Sequence, residues 1–432
     1  MQRFITSVTL VVALAACRAA ADEPPIAFTN VAIETAGKVG RIDSGTLLLN
    51  GGKIEAVGKD VKIPDDAQVI DGRGKTIMPG ILDPFREVSI AGATVDAAPR
   101  GVVGRGRQGG FGGRAGGGGT TFTRVADNFY PYEPVYRSLV RSGLTGLNLV
   151  TTGYGESAVI RLTPDQPDNM LVSPDGVLFT AVTNDATTLD IVRTALETAD
   201  RARRGLPAAA PPANAGAGDS APAPPAGRRG GGGRRFGGRG QGGGGFPAAS
   251  LKAWQAIYEG KAPLFANAAS AAAILHLLDV VKPYKDIKLV ILAPSPALYE
   301  TLEQLAGRPI RVIVRPGLSL KPNTRDRVDM ASVLYDAGIE FSFAQPTSVA
   351  DLLATQDFPL FAVAYSVRCG LPRKVALEAL TARPAALLGL EKSHGTLEPT
   401  KSADLLIFSG DPLDPASQLS QVLIRGRTVY EN

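Results

Sequence analysis

Apolar and polar positions along the chain fall into two textures. At both ends, short apolar runs (27–33, 46–49, 53–57 and 76–78, then 404–408, 422–424 and 428–430) are broken by turn residues. Gly51-Gly52, Asp71-Gly72 and Arg425-Gly426-Arg427 supply the backbone freedom of tight reversals, so both ends read as strands able to pair into one small domain. Between them, β-like runs at 147–150, 288–292, 310–314 and 341–343 alternate with helical segments at 189–202, 271–281, 325–336 and 373–380. That alternation predicts parallel β/α units. Further strands at 80–83 and near 177 and 264 bring the number close to eight, which favours a closed barrel over an open sheet.

Glycine changes the picture locally. Of 50 glycines, 11 lie in 101–119 and 15 in 203–249, two tracts that cannot bury apolar surface and are expected as disordered insertions in barrel loops. Each contains a formal G-x-G-x-x-G (Gly104, Gly106, Gly109 and Gly238, Gly240, Gly243), but neither lies between a strand and a helix, as a dinucleotide fingerprint must. The net charge of +5 is local too, because arginines of the tracts and of residues 1–21 leave a body of net charge −6. A nucleic-acid-binding face on that body is not indicated. The arginines of the tracts, with Phe111, Phe236 and Phe246 among them, leave polyanion binding as a separate reading beside an inert spacer.

Residues 1–21 read as a signal peptide, with Arg3, an apolar run over 4–16 and the small residues Ala19, Ala20 and Ala21. The run is too short to span a bilayer. Residues 14–17 (LAAC) also resemble a lipobox that would lipidate Cys17, the alternative being cleavage after Ala21. Either outcome places the body outside the cytoplasm, as a periplasmic protein or a membrane-anchored lipoprotein that meets the membrane only through its lipid. Cys369 is then the one cysteine of the body, and its segment predicts a small buried hydrophobe.

Residues 69–83 (VIDGRGKTIMPGILD) resemble the entry sequence of the amidohydrolase superfamily, and 376–390 (ALEALTARPAALLGL), Gly395-Thr396-Leu397, 401–405, 410–413 and 424–430 resemble its closing signature. Within it, 262–265 and 368–373 are most similar to the imidazolonepropionase-like branch. The resemblance implies a (β/α)8 TIM-type barrel over 80–396 with a composite β-sandwich from 22–79 and 397–432. It also implies hydrolysis of carbon–nitrogen bonds other than peptide bonds by zinc-activated water. One departure is Thr400, where the family has a glycine; a turn needing positive φ would be strained there.

The resemblance also exposes a discrepancy. Where the family's first barrel strand ends in Asp-x-His-x-His, this chain has Asp83, Phe85 and Glu87. Further family ligand positions fall on Asn267, Pro294 and Pro346, the last beside Gln345. The whole chain holds two histidines, so a nitrogen-rich zinc site is not expected, nor is any other cofactor. His276 reads as a packed or half-exposed helix residue and His394 as a solvated loop residue. Asp83 and Glu87 remain the candidate carboxylates at the barrel mouth, able as a pair to hold a hard cation or move protons, unless Arg86 or Arg161 neutralises Glu87. Three readings result: a non-catalytic homologue that binds a ligand, an active relative or a second copy of itself; a hydrolase with an oxygen-ligand or partner-completed metal site; and a polyanion binder.

Overall fold

Gly51 and Gly52 both take positive φ, 55° and 76°, and join Arg41–Asn50 to Lys53–Gly58 as a two-residue hairpin. Arg425 and Gly426 (52° and 74°) do the same between Leu419–Ile424 and Arg427–Glu431. The computed structural model describes residues 24–88, 122–151, 153–184, 186–206, 248–346, 351 and 358–432. The 1–21 leader with Cys17, the 101–119 tract and most of the 203–249 tract lie outside the described residues. The edges of the second tract are described: one helix, Ala186–Arg203, enters it and the next, Ala248–Tyr258, begins inside it.

The two β-rich ends form one eight-stranded sheet. Its centre joins the two ends of the sequence, as Thr76–Pro79 runs antiparallel to Leu405–Phe408 in the register Thr76↔Phe408 to Pro79↔Leu405. Period-two alternation sends successive residues to different cores. Ile77, Leu405, Ile407 and Leu423 face the sheet's own cluster with Phe28, Val31, Ile33 and Leu47, whereas Met78, Leu406, Phe408 and Val422 join the larger cluster of the middle region.

In the middle region, Ile81–Val88 pairs in parallel with Leu144–Thr151, and Leu178–Val182, Pro263–Ala268, Lys288–Leu292, Ile310–Val314 and Glu340–Phe343 follow in parallel order. Seven strands thus run in parallel among the described residues, in two hydrogen-bonded sheets, against an expectation close to eight. Short strands at Ala158–Arg161 and Tyr154–Glu156 pair antiparallel with Leu144–Thr151 and Leu178–Val182 in the two sheets. Alternation again sorts the side chains. Phe85, Val150, Phe179, Phe265, Val290, Leu292 and Ile313 form one apolar cluster, while their neighbours Leu149, Leu178, Leu264, Ile291 and Val312 pack in the large cluster with residues of the surrounding helices.

The 325–336 helix is corrected by the structure. Arg327–Asp329 is a strand paired with Leu318–Leu320, and the helix begins at Met330 because the Asp329 carboxylate caps it, accepting from the Ser332 amide at 2.9 Å. Thr400 stands at φ 75°, the strained conformation anticipated where the family carries glycine.

Candidate functional site

In parallel barrels, chemistry gathers at the carboxyl ends of the strands. Here that end begins with a break in register: Asp83 pairs with Leu147 and Arg86 with Leu149, so the strand bulges across Pro84 and Phe85. The bulge brings Asp83 and Arg86 together, although residues three apart in a regular strand face opposite ways. Their side chains are 0% and 1% exposed, with Arg86 Nη2 3.0 Å from Asp83 Oδ2. The other carboxylate oxygen, Oδ1, accepts from the Phe85 amide at 3.2 Å and the Gln345 amide at 3.4 Å. Arg86 Nη1 donates to the Pro346 carbonyl at 2.8 Å. Burial pushes the Asp83 carboxyl above the ordinary carboxylate range, against the pull of Arg86, the two amides and Arg315.

These bonds run from the first parallel strand to the end of the last, Glu340–Phe343, with which the described residues show no ladder pairing. Asp83 and Arg86 therefore close the seam between them. Arg86 pairs with Asp83, and Arg161 faces His394. Glu87 is half-buried, level with Val150, and lends its charge to Arg315.

None of the remaining family ligand positions carries a histidine or a carboxylate. Phe85 is 2% exposed and packs edge-on against Phe179, ring centroids 5.3 Å apart. Asn267 stands in register with Ala181 and Leu292, and Leu292 with Ile313. Pro294 is exposed at the start of the Ser295–Glu300 helix, and the Pro346 carbonyl is taken by Arg86. Among the described residues, no group of three or more His, Cys, Asp or Glu side chains could hold a metal ion. The donor set at these positions does not fit zinc: one carboxylate is committed to a guanidinium and two amides, and a phenyl ring stands where an imidazole would be required.

Three further expectations are placed differently by the structure. His394 is not solvated: its side chain is 16% exposed, with Nε2 3.5 Å from Asp404 Oδ2 and 3.3 Å from Arg161 Nη2. Burial lowers its pKa below the ordinary histidine value, opposed by Asp404 and reinforced by the charges of Arg161 and Lys401. Cys369 is exposed at the end of the Phe361–Arg368 helix instead of buried. His276 lies on the exposed face of the Ala271–Val281 helix.

The amidohydrolase family profile matches residues 363–430. No curated protein matches the chain. Among solved structures, the chain resembles an amidohydrolase from Thermotoga maritima MSB8, with 21% identity and a TM-score of 0.66 over 94% of this chain and 100% of that one. It also resembles the β-aspartyl dipeptidase of Fervidobacterium islandicum AW-1, with 12% identity and a TM-score of 0.50 over 94% and 96%. The chain has the α/β fold of these amidohydrolases over nearly its whole length, and residues 363–430 carry the amidohydrolase profile match.

Proposed function

We propose that this protein is an exported amidohydrolase homologue of the imidazolonepropionase-like branch that has given up metal-dependent hydrolysis and acts by binding, either of a small molecule or of an active relative. The observation that carries the reading is the use made of the former catalytic end. Asp83 is consumed by Arg86 in closing the strand seam, and Phe85 is consumed by the packing of the apolar cluster. A carboxylate locked by a buried guanidinium cannot also bind a cation without breaking the pair, which costs about 3–5 kcal/mol.

The test is elemental analysis of the purified, dialysed full chain for zinc, manganese, iron and calcium, paired with hydrolysis assays on a panel of amide and cyclic amide substrates. The expected result is far less than one metal per chain and no chelator-sensitive turnover. About one metal per chain, with turnover lost on chelation, would overturn the reading and direct attention to Glu87.

A further inference from the structure

A second cluster of polar groups lies at the opposite end of the parallel strands, in a narrow cleft between them and the eight-stranded sheet. Its walls come from the starts of two parallel strands, at Leu82 and Thr145, and from the carboxy-terminal segment with Leu390, His394 and Asp404. Arg161 reaches in from the last position of Ala158–Arg161, where it pairs with Gly146.

The hydrogen bonds fix the protonation pattern. A guanidinium only donates, so Arg161 Nη2 makes His394 Nε2 the acceptor. The ring proton then sits on Nδ1, donated to Ser393 Oγ at 2.7 Å, and that hydroxyl in turn donates to the Leu390 carbonyl at 3.3 Å. Asp404 Oδ1 is satisfied by the Ser402 hydroxyl and the Arg425 amide, each at 2.8 Å. What remains is the edge of Arg161. Its Nε is buried and donates to no acceptor among the described residues. An unmatched charged donor of this kind is costly unless an acceptor arrives from outside.

We propose that this cleft is a binding site for a small aliphatic monocarboxylate, with the Nε and Nη2 edge of Arg161 as its anchor. A carboxylate takes both N–H groups of that edge in parallel, while the second hydrogen of Nη2 keeps its bond to His394. The apolar walls at Leu82, Ile160, Val172 and Leu390 suit a short hydrocarbon body. Asp404 faces the same space, so a doubly charged phosphate is opposed where a single negative charge is tolerated. The proposal is independent of the state of the strand ends.

The test is calorimetric titration of the full chain with butyrate at constant ionic strength, with inorganic phosphate as comparator. Saturable one-site binding is expected, weakened about 10–100-fold in Arg161→Met by loss of a charge-assisted pair. It is also expected to be abolished in Val172→Trp, which fills the cleft without touching the polar cluster and carries the test if Arg161→Met does not fold. The absence of saturable butyrate binding, its survival in the variants, or tighter binding of phosphate than of butyrate would each overturn the proposal.

Discussion

Replacing Arg86 with alanine removes the guanidinium paired with a fully buried carboxylate. The perturbation deletes the 3.0 Å contact to Asp83 and the 2.8 Å bond to the Pro346 carbonyl, leaving Asp83 with amides at 3.2 and 3.4 Å. Breaking a buried pair from one side costs about 3–5 kcal/mol, a large share of the roughly 5–15 kcal/mol that holds an ordinary domain. The double variant Asp83→Asn/Arg86→Met carries no orphan charge, so its loss should be smaller than that of Arg86→Ala by about 2 kcal/mol. Urea unfolding followed by circular dichroism and by fluorescence of the fully buried Trp254 measures both. Acid gives a further check. Burial already raises the Asp83 carboxyl, and losing Arg86 raises it further, so the Arg86→Ala penalty should shrink as pH falls through that raised value and the orphan charge is neutralised. A single variant within about 1 kcal/mol of the parent, or a double variant no more stable than the single, would refute the seam argument.

Other outcomes can be checked alongside. Thr400→Gly relieves a residue held at φ 75° while keeping its amide bond to the Ile54 carbonyl, and should stabilise by about 0.5–1 kcal/mol after the entropy glycine adds to the unfolded chain; a lower urea midpoint would contradict it. Phe85→His, which restores the family residue, should cost about 2–4 kcal/mol through lost packing against Phe179 and confer no zinc binding in a competitive titration. For His394, burial lowers the folded pKa below 6.5, so the unfolded chain takes up the proton first. Stability should therefore decline as pH falls from 6.5 toward that lowered value, and His394→Gln should flatten this part of the profile; identical slopes would remove the argument.

The fold was largely readable because its signals are local. Gly51-Gly52 and Arg425-Gly426 announce their hairpins because glycine takes positive φ without steric cost, and the alternation at 288–292 and 310–314 is carried by contiguous apolar residues. The site was readable only in part. That Phe85 and Asn267 are poor ligands is stated by residue type, whereas the pairing of Asp83 with Arg86 needs a bulge, for which Pro84 inside a strand was the available sign. The burial of His394 comes from Asp404 and from Arg161, 233 positions away, and no local pattern reports such a neighbour. Cys369 misled because composition does not say which side of a helix end meets solvent.

The antiparallel ladder between Thr76–Pro79 and Leu405–Phe408 sets a schedule for synthesis. Its first strand leaves the ribosome long before its partner exists, since Pro79 and Leu405 are 326 positions apart, a wait of about 20–60 s at ordinary elongation rates. Throughout that interval the edge of Thr76–Pro79 is an open template for pairing with another nascent chain. The final thirty or so residues thus act as a latch whose late arrival decides whether the molecule matures alone or aggregates. Folding yield should therefore depend on chaperone supply more than final stability would suggest.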